Sequence, residues 1–150
     1  MPTPFFGLIP AYPKRAQMWH EDSLVLVGNP LVKEVTSSQQ HGIYSYQSTA
    51  AINDKFTHGF LLDAGTYTFE VLGIVQVDSG QVDWSLDGVT IVTDQDWYAG
   101  VSFNERKTVS GVVVATSGWH VLQGLVDSKH ASSSNYLLRL TKLAFIPAAD

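Results

Sequence analysis

The chain has 150 residues, 45% of them hydrophobic, no cysteine and a net charge of −5. That length suits one domain with its own core. The lack of cysteine excludes disulfides, thiolate metal sites and a cysteine nucleophile, and the acidic balance, with scattered Lys and Arg, argues against a nucleic-acid partner.

Residues 1–22 come first and stand apart. Pro2, Pro4, Pro10 and Pro13 are interleaved with Phe5, Phe6, Ile9, Tyr12 and Trp19, without a period of two or of 3.6. Proline fixes φ and removes an amide donor, so the reading is an extended arm ahead of a domain spanning 23–150. The arm either folds over its own core or docks on a neighbouring subunit through Phe5, Phe6, Ile9, Tyr12 and Trp19. It lacks a basic, helical apolar stretch, so no secretory signal peptide is expected.

From residue 23 onward, short β-branched and aromatic runs alternate with Gly, Asn, Asp and Ser, and no stretch sustains a helical stripe. Strands are expected at 24–27, 31–36, 43–47, 56–62, 66–74, 81–86, 89–93, 108–116, 119–126 and 136–146, with one helical turn allowed within 48–55. In 81–86, Val82, Trp84 and Leu86 alternate with Asp83 and Ser85 before Asp87-Gly88, which reads as a half-buried strand entering a type I′ hairpin. Tyr67, Phe69 and Val71 face inward by the same logic, and Trp84 and Trp119 are expected in the core. The uncharged run 108–126 reads as two strands around Ser117-Gly118 and not as a membrane span. Arg139 and Lys142 would mark a solvated edge on the last strand, and 131–135 a connecting loop. With no helix to make crossovers the strands must pair antiparallel, so the expected fold is an all-β, two-sheet sandwich of jelly-roll type.

Catalytic signatures are missing: there is no Gly-x-Ser-x-Gly, no phosphate-cradling loop and no His-Glu-x-x-His. No catalytic residue is nominated, and the chain is read as a non-enzyme. His20, His41, His58, His120 and His130 lack metal-ligand spacing, so no metal ligands are assigned. Asp63, Asp78, Asp87 and Asp94 adjoin turn residues and read as backbone caps, with Ca²⁺ the one cofactor their chemistry would admit. The segment 94–100 joins Asp94, Asp96, Trp97 and Tyr98. Aromatic faces stack on sugar rings and carboxylates accept hydroxyl hydrogen bonds, so these four are the candidate glycan-binding residues. In the other reading, Trp97 and Tyr98 plug the end of the sandwich.

The stretches Gly65-Thr-Tyr-Thr-Phe, Val82-Asp-Trp-Ser-Leu-Asp-Gly, Gly118-Trp-His-Val-Leu and Asn135-Tyr-Leu-Leu-Arg-Leu-Thr-Lys-Leu-Ala-Phe-Ile-Pro resemble galactose-binding-like jelly rolls. They also resemble the jelly-roll domains of tailed-phage fibres, head fibres and capsid decoration proteins. The phage resemblance implies a virion structural protein, a capsid decoration (cement) or tail-fibre component. It would be a homotrimer in the virion, anchored to other capsid or tail subunits through residues 1–22. A charged fraction of 15%, against about 25% in an ordinary domain, suits such packing. The alternative is a carbohydrate-binding module, a lectin or a receptor-binding fibre head that recognises a surface glycan.

Overall fold

The structure, a computed structural model, describes residues 52–149 and, before them, only the strands at 16–19, 24–27, 31–34 and 45–48, whose side chains, like that of Phe56, lie outside the described residues. The strands are β1 (Ala16–Trp19), β2 (Leu24–Val27), β3 (Leu31–Glu34), β4 (Ser45–Ser48), β5 (Asp54–Leu62), β6 (Gly65–Val75), β7 (Gln81–Leu86), β8 (Val89–Asp96), β9 (Phe103–Val114), β10 (Gly118–Ser128) and β11 (Arg139–Pro147), and the described residues include no helix. All named strand pairs are antiparallel. Sheet A runs β3-β4-β11-β6-β9, with β1 also on β11, and sheet B runs β2-β5-β10-β7-β8.

The two-sheet antiparallel sandwich expected from the sequence is present. The Asp87-Gly88 hairpin has φ of +50° and +79° at its two central residues, as a type I′ turn requires. Residues 52–53 form a turn and β5 begins at Asp54, so the helical turn allowed near 48–55 does not form among the described residues. Within the segment read as an arm, 16–19 pair with β11, Ala16 opposite Phe145 and Trp19 opposite Lys142. Phe5, Phe6, Ile9 and Tyr12 lie outside the described residues.

The core lies between the sheets. Tyr67, Phe69, Val71 and Val75 from β6 and Leu143 and Phe145 from β11 face Val82, Trp84 and Leu86 from β7 and Leu122 and Val126 from β10. Phe145 packs edge-on against Phe60, with ring centroids 5.0 Å apart, and Phe69 against Trp84 at 5.3 Å. Trp97 is the other large ring of this core. It lies over Gly73, where an added Cβ would stand 2.9 Å from the indole and 2.5 Å from the Arg139 carbonyl oxygen, so no other residue fits there. Two buried indoles need two acceptors, and one buried amide supplies both. Gln95 Oε1 accepts Trp84 Nε1–H at 2.8 Å and Trp97 Nε1–H at 3.2 Å.

Arg139 and Lys142 are buried, contrary to the solvated-edge expectation, because β11 is a central strand. Arg139 pairs with Asp78 at 2.9 Å, and Lys142 with Glu70 at 3.1 Å.

Candidate functional site

Sequence reasoning gathered Asp94, Asp96, Trp97 and Tyr98 into one recognition loop, and the structure separates them. Trp97 is wholly buried, with no face free for a ligand. Tyr98 is half-buried and stacks on the His130 ring at 4.5 Å, and its backbone N–H donates to Asp96 Oδ1. Asp94 and Asp96 belong to β8. Of the two readings of Trp97, the core plug is the one the packing shows.

Trp119 is the converse case. Expected in the core, it is 74% exposed, because β10 turns His120, Leu122, Gly124 and Val126 inward and Trp119, Val121, Gln123 and Leu125 outward. Inward His120 is fixed at both nitrogens. Nδ1 lies 2.6 Å from Asp87 Oδ2 and Nε2 lies 2.8 Å from the Thr116 carbonyl oxygen. With an acceptor at each nitrogen, the ring satisfies both contacts only in its doubly protonated form. The Asp87 hydrogen bond, aided by the Thr116 carbonyl and opposed by burial, raises the His120 pKa. Asp87 also accepts the Val121 N–H through Oδ1, and that backbone bond is the main cause of its lowered pKa, with His120 adding to it. This clamp joins the β7–β8 turn to β10 and fixes which residues of β10 point outward.

The outer face of sheet B therefore carries an aromatic platform at one end. The Trp119 ring comes within 3.6 Å of where a Cβ on Gly59 would stand, and Leu61 and Val121 flank it, both exposed. Strand pairing sets Gln123 between Thr57 on β5 and Ser85 on β7, and Leu125 between Lys55 and Asp83. At about 3.3 Å per residue, the strip from Trp119 to Leu125 is roughly 20 Å long. At its far end lie three carboxylates, Asp83, Asp94 and Asp127, with one oxygen from each within 4.8 Å of the others. Trp119 was not nominated from the sequence, and of the three carboxylates only Asp94 was, without Asp83 or Asp127.

A second concavity, of about 390 Å³, opens between the edge strands β8 and β9, lined by Leu86, Val89, Ile91, Val112 and Val114 with His120 at one end. No aromatic side chain apart from that committed imidazole lines it, so it lacks the stacking surface that the outer face of sheet B has.

No family model and no curated protein matches the chain. Solved structures do. A Paenibacillus xanthan lyase superposes with a TM-score of 0.77 at 18% identity over 88% of this chain, which spans 13% of the lyase chain. The CBM36-1 domain of a multidomain xylanase from the hindgut metagenome of Trinervitermes trinervoides gives 0.66 at 18% identity, covering 91% of this chain and 99% of the domain. A CBM36 carbohydrate-binding module in complex with calcium and xylotriose gives 0.58 at 15% identity, covering 85% of this chain and 96% of the module. At such identities the likeness is one of fold, and the chain shares the β-sandwich of carbohydrate-binding modules. The galactose-binding-like resemblance read from the sequence agrees with these neighbours, and nothing among them supports a phage origin.

Proposed function

We propose that the chain is a non-catalytic carbohydrate-binding module that takes a glycan on the outer face of sheet B. The observation that carries this reading is Trp119, a large ring three-quarters exposed on a regular strand. The apolar face of a pyranose ring would cover the indole. Gln123, Thr57 and Ser85 follow along the strip and would exchange hydrogen bonds with hydroxyls, the mix of one flat apolar surface and a few polar groups that orients a sugar. Sandwich modules of the same fold, one of them in complex with xylotriose, support the ligand class. Ca²⁺ fits beside it, since the carboxylates at the end of the strip offer only hard oxygen donors.

The test is affinity electrophoresis and calorimetry of the full chain against a panel of soluble polysaccharides, repeated with Trp119→Ala. Wild type should bind at least one glycan and the variant should bind it at least about tenfold more weakly, at an unchanged melting temperature. Equal binding by the variant would remove the face from consideration, and a wild type that binds nothing on the panel would count against the glycan reading.

A further inference from the structure

Paired residues on antiparallel strands share a face, so Leu61, Gly59, Thr57 and Lys55 turn outward from β5 beside Trp119, Val121, Gln123 and Leu125 of β10. Gly59 is the bare position in that row. A glycine inside a strand gives up stability that alanine would return. It is kept there by a special backbone angle, by crowding, or by something that lies close against the backbone. The first two do not apply to Gly59. Its φ is not positive, and a Cβ built on it would meet only Trp119, with Cε3 at 3.6 Å and Cζ3 at 3.8 Å, which is ordinary contact. Gly73 is the contrast, since its Cβ would stand 2.5 Å from a carbonyl oxygen.

What lies close against Gly59 is the indole. Trp119 stands directly opposite Leu61 and diagonally from Gly59, and the diagonal is within reach of an aromatic side chain. The six-membered ring of Trp119 uses that reach to lean across β5 onto the bare backbone, while the side chain as a whole stays three-quarters exposed. The other flank of β10 is closed. There Asp87 accepts the Val121 N–H at 2.7 Å through Oδ1 and donates its own N–H to the Val121 carbonyl at 2.8 Å. The open seat for the ring is therefore on the β5 side.

We propose that Gly59 is a positioning residue of the glycan face, whose missing side chain sets the tilt at which Trp119 offers its open face to a sugar. This rests on the reading of that face as a glycan site. A sugar stacks well only on a ring presented at the right angle, so a change of tilt weakens binding even though residue 59 contributes no ligand contact of its own. Gly59→Val places two methyl carbons about 1.5 Å beyond Cβ, in the space the ring fills. The single methyl of Gly59→Ala sits at contact distance and leaves the ring where it is.

The two variants of the full chain are titrated by calorimetry with the polysaccharide that wild type binds best. Gly59→Val should bind at least about tenfold more weakly, and Gly59→Ala less than about threefold more weakly. Both should melt at or above wild type, by up to about 4 °C, because a strand glycine has been replaced; a merely structural glycine would give the opposite sign. In the glycan-free wild type, an NMR cross-relaxation peak should join Trp119 Hε3 to a Gly59 Hα. The positioning role alone is overturned if that peak is absent, if Gly59→Ala is as impaired as Gly59→Val, or if Gly59→Val melts well below wild type. It is equally overturned if Gly59→Val binds as wild type does while Trp119→Ala binds weakly. A wild type that binds nothing on the panel overturns the glycan reading and this inference together.

Discussion

Gln95→Leu removes the acceptor that two buried indoles share while keeping an aliphatic side chain in place. Each buried N–H left without a partner costs about 1–3 kcal/mol, and the two together about 2–6 kcal/mol. Burying Leu instead of an amide returns about 1 kcal/mol, so the net loss should be about 1–5 kcal/mol. For a chain of this length that is a fall in melting temperature of roughly 2–20 °C. Chemical denaturation, with the midpoint shifted at constant slope, measures the same quantity. Because the penalty comes from the indoles, it should shrink when one loses its N–H. A cycle with Trp97→Phe should therefore show a coupling of at least about 1 kcal/mol. A Gln95→Leu variant within about 0.5 kcal/mol of wild type, or a strictly additive cycle, would show that the amide does not hold the two rings.

Gly73→Ala should be among the most damaging small substitutions, because the new methyl meets the immovable Arg139 carbonyl oxygen at 2.5 Å; a loss above about 3 kcal/mol is expected. Gly88→Ala meets nothing within 4 Å and should cost only the strain of its φ of +79°, about 1 kcal/mol. Denaturant titration of the two variants compares them. Trp97→Ala should lose about 3–5 kcal/mol by opening a core cavity, whereas Trp119→Ala should leave stability near wild type; equal losses would place both rings in the core. The raised His120 pKa gives a stabilisation that is complete below the unfolded value of about 6.5 and is lost as pH rises through the folded value. The lowered Asp87 pKa adds stability that is present above about 3.9 and fades as pH falls through its own folded value. Melting temperatures from pH 5 to 9 should decline on the alkaline side, and His120→Gln should flatten that decline.

The sandwich was legible in the chain where polarity alternates cleanly. Val82-Asp83-Trp84-Ser85-Leu86 admits one orientation only, and Asp87-Gly88 names its own turn. Along β10 the alternation is ambiguous. Trp119, Val121, Gln123 and Leu125 are together as apolar as His120, Leu122, Gly124 and Val126, so hydrophobicity alone does not choose between the faces. The signal that could have decided it is size. Gly124 is the residue that pairs with Trp84, and a small residue opposite a large one marks the packed side. The two readings of Trp97, ligand platform or core plug, stayed open in the sequence because it follows a strand rather than lying within one, and its burial depends on Gly73, distant in sequence. The Asp83, Asp94 and Asp127 cluster was out of reach for another reason. It depends on two register slips, and nothing in the residue pattern announces a bulge.

The central position of β11 governs how the molecule can be made. Sheet A holds β6 on one side of β11 and β4 and β1 on the other, so its first-synthesised strands have no shared template until the last one emerges. Pairings between residues more than a hundred positions apart, such as Ala16 with Phe145, carry a heavy loop-closure cost and place folding in the slow, milliseconds-to-seconds regime of all-β domains. A nascent chain halted before residue 139 would hold sheet B against only the β6–β9 pair of sheet A, with Leu143 and Phe145 still missing from the core between them, and so would expose apolar surface that the finished domain buries.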